Sequence, residues 1–269
     1  MPLGARSLNQ PHRRPLRQKV LPSNLHHVFL TPPCQGGAHP RLLRIARRDR
    51  RTRASAATPT RAHTRGVDPL VAAARAAGVE DERVLAAIAA VPRPDFVPAD
   101  WAERADLDAP IPIPHWQVIT QPSLVARMVE ALALTGDERV LEIGTGYGWQ
   151  TALLARLARE VFSVERFADI AETARAALAG IDNVTIVVGD GSEGLPEHAP
   201  FGAILVAAYP LVPAPLTEQL VEDGPPVQPI GNGGDQDVVL FQKRGGGLHH
   251  VRVISGEHFV RLHGRYGFG

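Results

Sequence analysis

Cysteine, long apolar runs and metal-binding spacings are scarce in this sequence. Cys34 is the single cysteine among 269 residues. One thiol cannot form an internal disulfide, and it cannot supply the paired ligands of a zinc site. No apolar run approaches the length of a membrane-spanning helix. These absences exclude a disulfide-stapled domain and predict a cytoplasmic protein that has no bound metal and no membrane contact.

Acidic residues are almost absent from the first 66 positions. This segment contains 14 of the 29 Lys and Arg residues but one of the 28 acidic residues, Asp49, so its formal net charge is +13. Residues 67–269 carry the balancing net charge of −12. The segment is rich in proline and arginine, and it cannot bury enough apolar surface to offset its chain entropy. We therefore predict a disordered basic extension at 1–66 and a folded domain at 67–269.

Three interpretations of the basic extension stay open. A basic segment can bind nucleic acid or acidic surfaces non-specifically, and an arginine-rich segment without acids is typical of a transit peptide. The third interpretation is a dispensable extension, or a start site placed too far upstream. No aromatic residue interleaves the arginines, as a surface that stacks nucleic-acid bases would require. We favour the dispensable extension, and we do not expect nucleic-acid contact to be the function of the chain.

Residues 68–134 carry mainly helical signals. Asp68 followed by Pro69 is typical of an N-cap and a first-turn proline, and Gly78 is typical of a helix end. Apolar residues recur at helical spacing, whereas prolines further along favour extended chain. The predicted elements are a helix between Asp68 and Gly78, a helix at 81–91, a loop at 92–101, an extended segment at 106–116 and a helix at 121–134.

Beyond residue 138 the pattern changes to strands that alternate with helices. The predicted strands are 139–144, 160–166, 183–191 and 201–208, and the predicted helices are 149–158, 168–180 and 213–224. Such alternation implies parallel βαβ units in a doubly wound sheet that is covered on both faces. Residues 237–255 indicate two further strands around a glycine-rich turn. The predicted fold class is α/β, a Rossmann-like sheet with N-terminal helices and an antiparallel C-terminal edge.

A glycine-rich turn follows the first strand of this predicted sheet. Gly144, Gly146 and Gly148 form a G-x-G-x-G spacing, which differs from the G-x-G-x-x-G of dinucleotide sites. Ligands of doubly wound sheets bind outside the carboxyl ends of the strands, where glycines allow a close backbone approach. Glu142 lies just ahead of the turn, where its charge would repel a pyrophosphate. We therefore predict a ligand that has a cationic group and no phosphate.

Acidic residues also lie at the ends of the next two strands. Glu165 suits the hydroxyl groups of a ribose, and Asp190 suits an exocyclic adenine amine. Taken singly, each acid has a plainer explanation: a strand-end charge at Glu142, an ion pair of Glu165 with Arg166, and a turn residue at Asp190. Taken together, they describe a ligand with an amine, a ribose and an adenine. That ligand is S-adenosylmethionine (SAM).

Several motifs carry a resemblance to a known family. The short ones are VLEIGTGYGWQTALLA, SVER, GDG and VITQP. DERVLAAIAAVPRPDFVP is similar to the family pattern ERV…A…VPR..FVP, and IPIPHWQVITQP is similar to LPIG.GQTISQP. Over residues 80–262 the chain thus resembles the protein-L-isoaspartate O-methyltransferase family. The combination is more specific than the cofactor motif alone.

The resemblance implies both a site and an activity. Thr120 occupies the position of the family's active-site serine, and Val118 replaces the usual threonine. The implied substrate-binding residues, Ile119 and Gln121, flank Thr120. The implied reaction is methyl transfer from SAM to the α-carboxylate of L-isoaspartyl residues in damaged proteins or peptides, by a monomeric repair enzyme whose catalytic domain is 67–269. The implied cofactor-binding residues are Glu142, Gly144, Gly146, Glu165, Asp190 and Gly191.

The chemistry of this reaction defines what the site has to do. An α-carboxyl group has a pKa of about 3.5 and is ionised at neutral pH, so it needs no general base. The site has to align a carboxylate oxygen with the methyl group and exclude water. A hydroxyl and a helix N-terminus can hold a carboxylate. We therefore expect Thr120 to face the acceptor and also to cap the helix at 121–134.

Two alternative functions stay open. The first is a related carboxyl methyltransferase that acts on a dedicated Asp-containing peptide, because Thr120 and Val118 depart from the family pattern beside the acceptor. The second is a module that binds SAM without turnover and acts through the basic extension. Methylation of isoaspartyl against ordinary peptides separates the first alternative from repair. Cofactor binding without methyl transfer would indicate the second.

Overall fold

The computed structural model describes residues 68–209, 211–231 and 234–269. The basic extension predicted at 1–66, with Cys34, lies outside these residues, so its interpretations stay predictions. Within the described ranges, no helix is long and apolar enough to cross a membrane. In the same ranges, no group of three or more His, Cys, Asp or Glu side chains is arranged to hold a metal ion.

Three helices and a short hairpin form the N-terminal part of the described domain. Its elements are α1 at Pro69–Ala76, α2 at Glu82–Ala90, β1 at Ile111–Ile113, β2 at Gln117–Ile119 and α3 at Pro122–Ala131. Asp68 accepts hydrogen bonds from the backbone N–H groups of Leu70 and Val71, and Gly78 follows α1 with a φ of 92°. Both predicted ends of α1 are therefore confirmed.

Two predictions for this part are wrong in detail. The predicted loop at 92–101 contains two 3-10 helical turns, at Arg93–Phe96 and Ala99–Arg104. The predicted extended segment at 106–116 is one arm of a hairpin, in which β1 pairs antiparallel with β2 and Ile111 lies opposite Ile119. Strands of three residues carry too little alternation to be recognised from a sequence pattern.

Seven strands and three helices form the rest of the described domain. The helices are α4 at Trp149–Ala155, α5 at Ala168–Ala177 and α6 at Ala214–Gln219. The strands are β3 at Arg139–Ile143, β4 at Glu160–Glu165, β5 at Val184–Val188, β6 at Ala203–Val206, β7 at Pro226–Ile230, β8 at Gln236–Arg244 and β9 at Gly247–Glu257.

The seven strands form one sheet in the order β5-β4-β3-β6-β7-β8-β9. The first five strands in this order pair parallel, and β8 and β9 pair antiparallel at the edge. The predicted α/β fold with an antiparallel C-terminal edge is therefore confirmed. The sequence analysis missed β7 because Pro226 and Pro229 obscure its strand pattern.

The switch point of the sheet lies between β3 and β6. The chain runs from β3 to β4 and β5 on one side, and then returns to β6 on the other side of β3. The N–H of Gly144 donates to the carbonyl of Val164, and the N–H of Ala207 donates to the carbonyl of Ile143, both at 2.9 Å. The loops after β3 and β6 therefore leave the sheet side by side, where doubly wound sheets bind ligands.

Apolar side chains cover both faces of this sheet. Val140 of β3 packs in the cluster that contains α1 to α4, whereas Leu141 and Ile143 pack in the cluster that contains α6. Successive residues of a strand point to opposite faces. Glu142 therefore shares the face of Val140, beneath the N-terminal helices, and this orientation decides its role in the site.

Candidate active site

A cavity of about 320 Å³ lies at the carboxyl ends of β3 and β4. It brings together residues that are far apart in the sequence. The predicted site residues that line it are Ile119, Thr120, Gln121, Gly144, Gly146 and Glu165. The acceptor side and the cofactor side predicted from the sequence thus share one cavity, although Ile119 also packs in an apolar cluster with Ile111 and Ile170.

A second cavity of about 440 Å³ adjoins the first, because Gly144 and Glu165 line both. Its wall includes Gly191, which the sequence analysis predicted, and Phe167. It also includes Leu262 and neighbouring residues of the C-terminal segment, which the sequence analysis did not connect with the site. Two cavities that meet at Glu165 suit an elongated ligand whose two ends differ in chemistry.

Glu165 lies at the junction of the two cavities with a partly satisfied carboxylate. Its Oε2 accepts from the N–H of Gly146 at 3.0 Å, and its Oε1 accepts from the N–H of Phe167 at 3.1 Å. A carboxylate offers about four lone-pair sites, so acceptor capacity is left for ligand hydroxyls. The φ of 54° at Gly146 is a left-handed conformation that glycine adopts at little cost. Burial raises the pKa of Glu165.

Glu142 is fully buried and lines neither cavity. Its carboxylate accepts from Gln150 Nε2 at 2.8 Å and from the hydroxyls of Thr151 and Ser163 at 2.5 Å. The predicted direct contact with a ligand amine is therefore not supported, because the side chain points beneath α4. Ser163 also lies 2.6 Å from the hydroxyl of Thr145. The network thus ties the glycine-rich turn to β3, β4 and α4.

Glu142 is expected to make the domain less stable as the pH rises. Burial raises the pKa of this carboxyl from 4.5 to about 7, although three donors favour its ionised form. The folded state keeps a proton that the unfolded chain releases. This contribution to stability is therefore full below pH 4.5 and is lost as the pH rises through about 7.

Urea unfolding across this pH range measures the effect. Glu142→Gln is isosteric, and its unfolding free energy is expected to depend less on pH than that of the wild type. Glu82→Gln, at an exposed position of α2, is the matched control. Equal pH dependence of the wild type and Glu142→Gln would mean that Glu142 is ionised throughout.

Asp190 also lines neither cavity. Its Oδ1 accepts from the N–H and the hydroxyl of Ser192 at 2.9 and 2.7 Å, and its Oδ2 accepts from the N–H of Arg265 at 2.7 Å. Partial burial raises the pKa of Asp190, but these hydrogen bonds outweigh it and hold the pKa below its ordinary value. The predicted contact with an adenine amine is therefore not supported. Asp190 instead fixes the turn that places Gly191 in the second cavity.

The N-terminus of α3 is satisfied without Thr120. The helix begins at Pro122, and its N-cap residue is Gln121, whose side chain makes no capping bond. Asp108 accepts from the N–H of Ser123 at 2.8 Å. The predicted capping role of Thr120 is therefore wrong. An acceptor carboxylate also finds little of this helix end available, since Pro122 has no N–H and Asp108 is already an anion there.

Arg93 holds the segment in front of Thr120, and the sequence analysis did not identify it as a site residue. Its side chain is 1% exposed, and its guanidinium carbon lies 5.5 Å from the ring centroid of Trp149. Burial lowers its pKa to about 10, so it stays charged at neutral pH. Its terminal nitrogens donate at 3.0–3.2 Å to the backbone carbonyls of Ala105, Leu107, Ala109 and Thr120.

Comparison with known families identifies this arrangement. The sequence model of the protein-L-isoaspartate(D-aspartate) O-methyltransferase family (PCMT) matches residues 65–267. The chain belongs to this family. The resemblance noted in the motifs is therefore confirmed over nearly the whole described domain.

Curated relatives carry the family name. The protein-L-isoaspartate O-methyltransferase of Myxococcus xanthus (strain DK1622) is 50% identical over 194 residues, which cover 70% of this chain and 92% of the relative. That of Methanoregula boonei (strain DSM 21154 / JCM 14090 / 6A8) is 47% identical over 194 residues, which cover 71% of this chain and 89% of the relative.

Solved structures of the family share the fold. One protein-L-isoaspartate O-methyltransferase superposes with a TM-score of 0.65 at 30% identity, covering 74% of this chain and 66% of that chain. A second, from Plasmodium falciparum, was solved in complex with S-adenosyl-L-homocysteine. It superposes with a TM-score of 0.63 at 22% identity, covering 73% of this chain and 98% of that chain. At this identity the second comparison supports the fold alone.

Proposed function

We propose that this chain transfers a methyl group from SAM to the α-carboxylate of L-isoaspartyl residues in damaged proteins or peptides. One observation carries the proposal: Thr120 and Glu165 line the same cavity, with the glycine-rich turn between them. The Thr120 side receives the acceptor, and the Glu165 side receives the donor. Membership of the family leads to the same reaction.

The residues of the two cavities fit SAM. Glu165 has acceptor capacity left for ribose hydroxyls. Gly144 lines both cavities. At Gly191 a Cβ atom would lie 2.4 Å from Cγ2 of Ile143, so glycine allows the backbone to lie against the end of β3. Glu165, Gly144, Gly146 and Gly191 would hold the cofactor, whereas Glu142 and Asp190 support them from behind. When bound, SAM supplies an electrophilic methyl group.

The acceptor side has to desolvate and align a carboxylate. An anion that attacks a cation loses its charge, so water and strong donors stabilise the starting state more than the transition state. Apolar side chains that exclude water favour the reaction. Those that line the first cavity are Ile113, Val118, Ile119, Leu124, Val125, Phe259 and Val260.

Thr120 supplies a limited hydrogen bond to this acceptor. A single hydroxyl can orient the carboxylate without holding it as strongly as a helix N-terminus would. Asp108 has the same effect indirectly, because it already accepts from the first turn of α3. Thr120 thus acts by positioning the acceptor, and no general base is needed.

Methylation of matched peptides tests the proposal. An isoaspartyl peptide and its ordinary aspartyl counterpart, each with labelled SAM, are incubated with the full chain. We expect methyl ester on the isoaspartyl peptide alone. Ester on a specific aspartyl peptide would favour the dedicated methyltransferase, and SAM binding without any ester would favour the module without turnover. A cytoplasmic location, a monomeric state and a basic extension without nucleic-acid function stay predictions.

Glu165→Ala is expected to weaken SAM binding by about 1–2 kcal/mol, or roughly five- to thirtyfold in Kd. Buried ribose hydroxyls would lose their acceptor. Calorimetric titration of the folded variant measures the change. Glu160→Ala is the matched control, because Glu160 begins the same strand and pairs with Arg139 instead. An unchanged Kd in Glu165→Ala would remove Glu165 from the site.

A further inference from the structure

The tip of the β1–β2 hairpin exposes a tryptophan in an unfavourable backbone conformation. Trp116 is 90% exposed, and both His115 and Trp116 have a φ of 59°. The N–H of Gln117 donates to the carbonyl of Pro114 at 3.2 Å, which closes a two-residue turn. Such a turn favours glycine or asparagine at its central positions. A bulky apolar residue that is both strained and exposed indicates a role in binding.

The other central residue of the turn fixes the tip against α5 and its preceding loop. The ring of His115 stacks on Phe167, with centroids 4.2 Å apart and planes at 5°. Its Nε2 also lies 2.9 Å from a carboxylate oxygen of Asp169. These contacts hold the turn in place and leave Trp116 directed to solvent. A rigid, pre-positioned indole loses little conformational entropy when it binds a partner.

The hairpin has an apolar outer face that leads to the first cavity. We define this outer face as four exposed residues: Pro112, Pro114, Trp116 and Val118. Residues of the opposite face, such as Ile111 and Ile119, are buried. Val118 is 42% exposed and lines the cavity that contains Thr120. The outer face therefore continues the acceptor side of the active site.

We propose that this outer face binds the part of the substrate polypeptide that flanks the isoaspartyl residue, with Trp116 determining specificity for apolar or aromatic side chains. The proposal rests on the proposed function, because Thr120 marks the acceptor position. Trp116 and Thr120 are four residues apart along β2, or roughly 13 Å in extended chain. A substrate in extended conformation covers the same distance in about four residues. The preferred side chain thus lies three or four residues from the isoaspartyl residue.

A scanning set of isoaspartyl peptides tests this preference. Each peptide carries one tyrosine or one serine at a position one to four residues from the isoaspartyl residue, on either side. We expect the wild type to favour tyrosine over serine about fivefold in kcat/KM, three or four residues away on one side. Trp116→Gly is expected to lose this preference, and Trp116→Phe is expected to keep it.

Trp116→Gly should fold, since glycine adopts a φ of 59° readily. Its melting temperature, its KM for SAM and its kcat/KM for serine peptides are expected to stay at wild-type values or higher. Val251→Ala, at an exposed position of β9 away from the first cavity, is the control for general loss of apolar surface.

Three outcomes overturn the proposal. A wild type without tyrosine preference, or a glycine variant that keeps it, would exclude Trp116 from substrate selection. A uniform loss on all peptides in Trp116→Gly would indicate a structural role alone. A wild type that methylates no isoaspartyl peptide at all would overturn the proposed function, and the inference would fall with it.

Discussion

Replacing Thr120 with valine is expected to lower the single-turnover rate for isoaspartyl peptides by about ten- to a hundredfold. Valine nearly matches the shape of threonine and removes the hydroxyl. A hydrogen bond to a charged group is worth about 1.5–3 kcal/mol. Since Asp108 rather than Thr120 satisfies the first turn of α3, stability is expected to stay unchanged. Single-turnover methylation and urea unfolding of the same preparation measure both quantities.

The serine variant and the cofactor affinity provide the controls for Thr120. Thr120→Ser keeps a hydroxyl at the same position and is expected to retain the rate. SAM affinity is expected to be equal in wild type, Thr120→Val and Thr120→Ser. A valine variant that methylates at the wild-type rate would show that the hydroxyl takes no part in orienting the acceptor.

Replacing Arg93 with methionine is expected to destabilise the domain by roughly 3–5 kcal/mol. Methionine fills much of the volume but donates no hydrogen bond, so four backbone carbonyls lose their donor. Two of these carbonyls, at Ala109 and Thr120, flank the β1–β2 hairpin. The rate per folded molecule is therefore expected to fall as well. Chemical denaturation measures the first effect, and a methylation assay normalised to folded protein measures the second.

A surface arginine provides the comparison for Arg93. Arg83 of α2 pairs with Asp81 at an exposed position, and Arg83→Met is expected to change stability by less than about 1 kcal/mol. Arg93→Lys should be intermediate, because a single ammonium cannot reach four carbonyls in the geometry of a guanidinium. A loss below about 1 kcal/mol in Arg93→Met would show that water satisfies these carbonyls.

The acceptor side of the site is assembled from separate parts of the N-terminal chain. Arg93 draws together the carbonyls that lead from residue 105 to the end of β2. Asp108, within the same segment, accepts from the start of α3. Thr120 lies between these two contacts. Its position therefore depends on hydrogen bonds that a change at Arg93 or Asp108 would disturb, without any change in the cavity wall itself.

Several features of this protein follow from local sequence pattern. Alternating strands and helices predicted the parallel sheet, because period and flanking residues reflect burial on two faces. The ends of α1 were predicted from Asp68 and Gly78, since caps depend on neighbouring backbone alone. Glu165 was placed at the ligand cavity because a residue at the end of a parallel strand has to lie near the switch point.

Other features depend on contacts that no local pattern contains. Glu142 was predicted to face a ligand, but its strand face directs it under α4, where side chains of α4 and β4 satisfy it. Asp190 accepts from the backbone of Arg265, 75 positions later in the chain. Arg93 and Asp108 hold segments that sequence reasoning treated as loop. Each of these polar groups is satisfied by a partner that only the packed chain brings within hydrogen-bond distance, because a buried donor or acceptor has to be paired wherever its partner lies in the sequence.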